Sequence, residues 1–358
     1  MPLLIDNATV SKLLETSSFV EHIEKAYVSY AQGSGVCAPR LDIQAARQGQ
    51  ETYQLGLVAG ITGTYACLRI KSDVTYLREE HGVSRKEKYA VKPGTYCGLL
   101  LLLSTVTGAP LALIHDGILQ QMRVGADSAI GARLMARSDA HVLGILGSGG
   151  MAMSHMRAIA ATMGISNIVI FSPTAAHAAS FVEKAKKLGY VANAASSARA
   201  VAQEADILCA CTNSIDDVIF GEDLRPGTHV IAIGGSLDAK GSKRVDRWLR
   251  LGLATSAPEW GGQTIEEECL TFTSGAKAAS GSARRFSTIT TDKRILLTDL
   301  LRDPALGRQS PNEITFSDRG NVHGLQFAAA AGYIYECAVA AGMGRKMALE
   351  DFTQSVRN

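Results

Sequence analysis

Apolar residues recur at helical spacing over 9–31, where Leu13, Leu14, Val20, Ile23, Ala26 and Tyr27 fall together. The pattern predicts one or two amphipathic helices. After Pro39 the period changes. Residues 53–59, 65–71, 98–104 and 110–115 are short runs rich in Leu, Val, Ile and Tyr, separated by turns containing Gly or Thr. They predict strands, the last two joined around Thr107-Gly108, and together an antiparallel sheet in the first third. The intervening stretch 78–94 is charged and has no apolar period, which predicts an exposed loop or lid.

From Ala126 the texture changes again. Residues 126–138 predict a helix; then strands at 141–147, 167–171, 206–211 and 229–233 alternate with helices at 150–163, 174–188 and 197–203. Such alternation points to an α/β arrangement with a parallel, doubly wound sheet. Residues 255–285 are polar and rich in Gly and Ser, and their pattern leaves the structure there open. The tail 325–341 is apolar at helical spacing and rich in Ala, and is expected to pack back on the first domain, making that domain discontinuous.

A length of 358 residues fits about two domains. With 36 Lys and Arg against 34 Asp and Glu, the net charge of +2 offers no electrostatic attraction for nucleic acid or a membrane surface. The N-terminus has acidic Asp6 and no basic start before a long apolar run, so no secretory signal is expected and a cytoplasmic location is. The apolar stretch 98–103 is too short to span a bilayer. The seven cysteines are scattered without a Cys-x-x-Cys pair, and Cys209 and Cys211 would share one face of a strand. Reduced, buried thiols are expected rather than disulfides or zinc. No His, Cys or Asp cluster has metal-ligand spacing, so no metal is expected, and no Gly-x-Ser-x-Gly elbow supports hydrolase chemistry.

The strongest local signal follows the strand at 141–147. Gly147-Ser148-Gly149-Gly150-Met151-Ala152 opens a helix in the Gly-x-Gly-x-x-Gly/Ala pattern. The first Gly permits the tight turn, the second lets backbone approach a pyrophosphate, and Ala152 keeps helix close to strand. The helix N-terminus presents free N–H groups to the phosphates. At the end of the next strand, where an NAD site usually carries Asp or Glu for the ribose 2′-hydroxyl, the chain has Ser172-Pro173-Thr174 with His177 nearby. Hydroxyls without a carboxylate lean toward NADP over NAD, although Ser172 and Thr174 equally suit a helix cap. Thr212-Asn213-Ser214 and Gly234-Gly235-Ser236 follow later strands and would lie along the carboxyl edge, near a nicotinamide.

Arg40 in APRLD, Lys71 in CLRIKSD, Arg123 in QMRVGADSAIGARLMAR, then GILGSGGMA, ADILCACTNS, RPGTHVIAIGG and LGRQSPNEITFSDRG occur in order along the chain. This ordered set resembles the ornithine cyclodeaminase/mu-crystallin family. The resemblance implies a homodimer. Each subunit would have a discontinuous antiparallel α+β substrate and dimerisation domain (1–122 with 320–358) and a Rossmann dinucleotide-binding domain (123–319), with the active site between them. It implies that Arg40 and Arg123 hold a substrate carboxylate, a role suited to a planar guanidinium. Lys71 would polarise a carbonyl or imine, or move a proton. The substrate would be a small amino or imino acid.

Two departures from the family pattern matter. Ser236 stands where cyclodeaminases carry a catalytic Asp, with Asp238 two positions on as the nearest carboxylate, and Val124-Gly125 stands where Thr-Ala is usual. Both argue against a standard ornithine cyclodeaminase and leave hydride transfer intact. The expectation is an NAD(P)-dependent imine reductase or amino-acid dehydrogenase. An amino-acid cyclodeaminase and a catalytically silent NADPH-binding protein like mu-crystallin are the alternatives. Elsewhere, His323 reads as a helix-start or packing residue, Asp116 as a helix cap, Trp248 and Trp260 as packing residues, and Glu266, Glu267 and Glu268 as a solvated face.

Overall fold

The computed structural model describes residues 1–47, 49, 51–80, 83–214, 216–255, 269–274 and 288–356. Trp260 and Glu266, Glu267 and Glu268 lie outside the described residues. The chain opens with strand Leu3–Ile5 (β1) and helices Asn7–Leu13 (α1) and Thr16–Ala31 (α2). Strands Val36–Cys37 (β2), Leu41–Ala46 (β3), Thr52–Thr62 (β4), Tyr65–Glu80 (β5), Val83–Tyr89 (β6), Cys97–Ser104 (β7) and Pro110–His115 (β8) follow, then helix Gly117–Met135 (α3). The alternating part runs Val142–Leu146 (β9), Gly150–Met163 (α4), Asn167–Phe171 (β10), Ala175–Lys187 (α5), Val191–Ala194 (β11), Ala198–Glu204 (α6) and Ile207–Cys211 (β12). After it come Asp217–Ile219 (β13), His229–Gly234 (β14), Ser236–Leu237 (β15), Ala239–Arg244 (α7) and Arg247–Arg250 (β16). The remaining elements are Leu270–Ser274 (β17), Arg294–Leu296 (β18), Leu297–Arg302 (α8), Thr315–Asp318 (β19), His323–Ala341 (α9) and Arg345–Lys346 (β20).

Two large sheets result. Among the described residues the second has the order β11-β10-β9-β12-β14-β19-β16-β18 and is parallel throughout. Its central strands β9 and β12 are buried along their whole length, as in the middle of any doubly wound sheet covered by helices on both faces. Successive strands leave β9 on opposite sides, toward β10 and toward β12, and this reversal opens a crevice at the carboxyl edge.

The first sheet has the order β17-β3-β4-β5-β7-β8-β1-β20, with β2 on β4 and β6 on β5. It is mixed rather than antiparallel: β1 runs parallel to β8, and β17 parallel to β3. Both additions are distant in sequence from their neighbours, so no tight hairpin imposes an antiparallel pairing on them. The expected loop at 78–94 is corrected too. β5 continues to Glu80 and pairs with β6 from Val74↔Tyr89 to Glu80↔Val83. This ribbon lies outside the main strand path, so no buried face writes an apolar alternation into it.

The α9 helix returns to the first sheet and packs on β4 and β5. Contact is backbone on backbone. A Cβ on Gly60 would lie 2.6 Å from the Leu325 nitrogen, and a Cβ on Gly324 would lie 2.8 Å from the Gly60 nitrogen and closer still to the Ala59 carbonyl. The α3 helix is buried along most of its length and carries core residues from Leu119 to Met135. Among the described residues, no helix is long and apolar enough to cross a membrane.

Gly324→Ala overpacks the join between α9 and β4. Denaturant unfolding is expected to show a loss of about 2–3 kcal/mol; unchanged stability would contradict this packing.

Candidate active site

The glycine turn has the form its sequence requires. Gly147 has φ +113, and a Cβ there would press on the Cys211 carbonyl, so only glycine fits. Its N–H donates to the Phe171 carbonyl at 2.9 Å. A Cβ on Gly149 would meet nothing within 4 Å, so space lies beside the backbone there. Gly149 caps α4 without any side-chain hydrogen bond, leaving the first N–H groups of the helix to a ligand. Ala152 is fully buried and seats the helix. The Ser148 hydroxyl donates to Ser172 Oγ at 3.1 Å, tying the turn to the end of β10. Neither Ser172 nor Thr174 is a side-chain cap: Thr174 sits at the cap position of α5 but makes no capping hydrogen bond. Pro173 stands between them in the β10–α5 connection, and Met151 is half-buried in the first turn of α4.

The loops after β12 and β14 press together. Gly234 lies against the Thr212 carbonyl too tightly for any Cβ, and Gly235 has φ +78. Thr212 Oγ1 accepts from the Ser214 N–H at 2.9 Å, and Asn213 is exposed.

On the first sheet a charged row crosses four strands. Asp42 of β3, Gly56 of β4, Lys71 of β5 and Gly98 of β7 stand side by side. The two glycines clear space on either side of Lys71. A Cβ on Gly56 would lie 3.0 Å from Asp42 Oδ1 and 3.9 Å from Arg40 Nη2, and one on Gly98 would fall on the Asp116 carboxylate. The period of two puts Arg69, Lys71 and Asp73 on one face of β5. The Lys71 ammonium pairs with the Asp73 carboxylate, their side chains 13% and 0% exposed. Burial, reinforced by Lys88 and Arg40 and opposed by Asp73, pushes Lys71 down to about 8. Arg40 grips Asp42 through Nε at 2.9 Å and Nη2 at 2.8 Å.

Asp116 is a partner rather than a cap. It stands at the N-cap of α3 without a capping bond, and its Oδ2 accepts from Arg69 Nε and Nη2, each at 2.7 Å. A buried guanidinium competes for the carboxylate that would otherwise serve the helix end.

Arg123, on α3, is buried at 4% exposure. Its donors go to Gln120 Oε1 (2.8 Å from Nη2) and to Gln326 Oε1 of α9, both neutral amides. Its guanidinium lies 4.2 Å from the centroid of the Phe327 ring, whose environment it shares with Arg69 at 5.1 Å. Gln326 donates to the Tyr27 hydroxyl at 2.6 Å, and that hydroxyl donates to Asp127 Oδ1 at 3.0 Å. Burial drives Asp127 up to about 7 despite Arg123 and Arg319, and it pulls Arg123 down to about 9, still charged at neutral pH. His323 begins α9 as a buried packing residue and accepts from Arg319 Nε at 3.1 Å. Burial first, then Arg319, Arg123, Arg40 and Arg69, hold it well below the usual imidazole range. On α3, Gln121 reaches Gly150 of the glycine turn, two residues before Arg123.

Asp238 Oδ1 accepts from the N–H groups of Gly221 (2.8 Å) and Gly241 (2.7 Å), which makes it the cap of α7. The carboxylate bonded to Ser236 is Asp217, brought alongside by the β13–β15 pairing. Nothing in the spacing announces it. Arg69, Asp127 and Gln326 are equally silent in the sequence, because each acts through a partner from another element, whereas Asp73 pairs with Lys71 on its own strand. Trp248 packs as expected, donating to Asp318 Oδ2 at 2.8 Å.

The ornithine cyclodeaminase/mu-crystallin family model matches residues 3–342. The chain belongs to that family. A Delta(1)-pyrroline-2-carboxylate reductase of Paracoccus denitrificans is 31% identical over 64% of this chain and 70% of its own length. Another curated relative, 35% identical, is matched over only 44% of its length. Among solved structures, the Thermococcus litoralis Delta(1)-pyrroline-2-carboxylate reductase in complex with NADH and L-proline has TM-score 0.73 at 21% identity, covering 96% of this chain and 100% of that one. An archaeal alanine dehydrogenase dimer with bound NAD has TM-score 0.74 at 21% identity, covering 97% and 99%. These two likenesses show the fold.

Asp127 holds its proton more tightly folded than unfolded, so the stability it contributes is complete below about 3.8 and is lost as pH rises through about 7. Wild type should therefore weaken over that window by up to about 1.4 kcal/mol per pH unit relative to Asp127→Asn. Urea titrations at several pH values measure it; parallel stabilities in both proteins would refute the raised carboxyl.

Proposed function

We propose that this chain is an NAD(P)-dependent oxidoreductase acting on the C–N bond of a small amino or imino acid. The observation that carries the reading is Arg123: a buried, charged guanidinium held by amides, with no carboxylate at ion-pair distance among the described residues. A substrate carboxylate would supply the missing counter-charge. Arg40 stands near the same region, although Asp42 engages it in this structure.

The glycine turn fits a dinucleotide: a cradle at Gly147 closed to side chains, open space at Gly149, and the uncapped N-terminus of α4. When bound there, a nicotinamide cofactor supplies the hydride. Lys71 supplies the proton for the substrate nitrogen, and its lowered affinity for that proton suits transfer near neutrality. A proton from solvent then restores the ammonium, which pairs again with Asp73. Thr212, Asn213, Ser214, Gly234 and Ser236 would border the nicotinamide, while Ser172, Pro173 and Thr174 would border the adenosine ribose. The absence of a carboxylate from that last segment supports NADPH over NADH. The domain bounds at 122/123 and 319/320 belong to the same reading. So does a homodimer, supported by the archaeal alanine dehydrogenase dimer, and so does a cytoplasmic location.

The Ser236–Asp217 pair favours one second reading, a cyclodeaminase in which Asp217 supplies the carboxylate. Ammonia release without net cofactor consumption would identify that reaction.

Absorbance at 340 nm with NADPH or NADH and a panel of cyclic imines, and of α-keto acids with amines, tests the main reading. Lys71→Ala and Arg123→Ala should each cut kcat/KM at least about tenfold. Absence of turnover across the panel would sink it. With Lys71 as proton donor, reduction should slow as pH rises through about 8, the direction in which the ammonium is lost; a rate rising through that range would exclude the role.

A further inference from the structure

We propose that His155, Cys209 and Cys211 form a binding site for one thiophilic divalent cation, zinc or cadmium in chemistry, held between α4 and β12 beneath the glycine turn. This inference stands apart from the oxidoreductase reading. The three residues are buried, and their ligand atoms lie within 4.8 Å of one another. The pair Cys209 and Cys211 is two apart on β12, so the strand period points both thiols to one face, with Sγ atoms 3.6 Å apart. Two sulfurs bound tetrahedrally to one zinc at about 2.3 Å each are about 3.8 Å apart, so little movement is needed.

The histidine supplies a second, independent observation. Its Nδ1 lies 2.6 Å from the Met151 carbonyl. A carbonyl can only accept, so Nδ1 carries the proton. That leaves a lone pair on Nε2, which is buried without a hydrogen-bond partner among the described residues. A ring fixed by a backbone carbonyl on one nitrogen, with the other free, is the usual posture of a metal-binding histidine.

Charge balance selects the ion. Loading releases two thiol protons to solvent, and two thiolates with a divalent cation form a neutral unit, which an apolar interior accepts far better than a net charge. The Cys2His donor set leaves one position for a small ligand. The ion would join α4 to β12 at the level where the Cys211 carbonyl abuts Gly147.

The test uses the full chain bearing Cys97→Ala, which removes the exposed thiol. It is purified without chelator from zinc-supplemented medium and analysed for metal, and a second sample is loaded with cadmium by exchange. Expected are a single equivalent per chain, a sulfur-to-cadmium charge-transfer band, and a rise in Tm on loading. Cys209→Ser with Cys211→Ser should lower retention at least about tenfold. Equal retention in that double variant, or no metal retained by the parent, overturns the proposal. Should the double variant fail to fold, cadmium NMR of the parent decides: mixed sulfur and nitrogen ligation upholds the site, and oxygen-only ligation overturns it.

Discussion

A lysine ammonium held almost dry within a β-sheet is the constraint around which the first sheet is organised. An isolated charge would not remain there; it would draw in water or give up its proton. Asp73 keeps Lys71 in place, and the cost of burial survives as a weakened hold on the proton. The neighbouring strands yield space to it, with glycine on each side where any larger residue would collide with Asp42 or Asp116. Each nearby carboxylate then takes a cation of its own, Arg40 for Asp42 and Arg69 for Asp116.

Arg123 departs from that pairing. Its neighbours are amides, an aromatic face, and a carboxyl whose ionisation burial suppresses. Positive potential is therefore stored on α3, a helix whose preceding turn reaches the glycine-rich loop of the parallel sheet. One helix thus carries both the buried Arg123 guanidinium and, at Gln121, a contact with the glycine turn.

Half of the parallel sheet, β9, β10, β12 and β14, was legible because those features are local, whereas β11, β16, β18 and β19, short and with polar residues, gave no strand signal. Helix 150–163 matches Gly150–Met163 and strand 167–171 matches Asn167–Phe171, since a strand, a Gly turn and a helix write their periods in consecutive residues. The β5–β6 ribbon was illegible for the opposite reason: charged on its faces, it carries no apolar beat. At the candidate site, Lys71, Arg40 and Arg123 emerged from an ordered resemblance and not from spacing. Two of their partners stand beside them in the chain, Asp42 after Arg40 and Asp73 after Lys71, but the rest of the network is long-range. Asp127 has meaning only through Tyr27, 100 residues away, and Asp116 only through Arg69. The approach of His155 to Cys209 and Cys211 likewise could not be read from the chain, because α4 and β12 bring the three together only in the fold.

The contacts among Gly147, Cys211, Thr212 and Gly234 have a kinetic side. Backbone touches backbone at each of them, with no side chain to rearrange. This edge of the sheet is therefore held by its own backbone, and a ligand of the proposed kind would meet a turn already formed at Gly147 and Gly234. For the proposed cofactor, changes in this floor would then be felt mainly in the residence time.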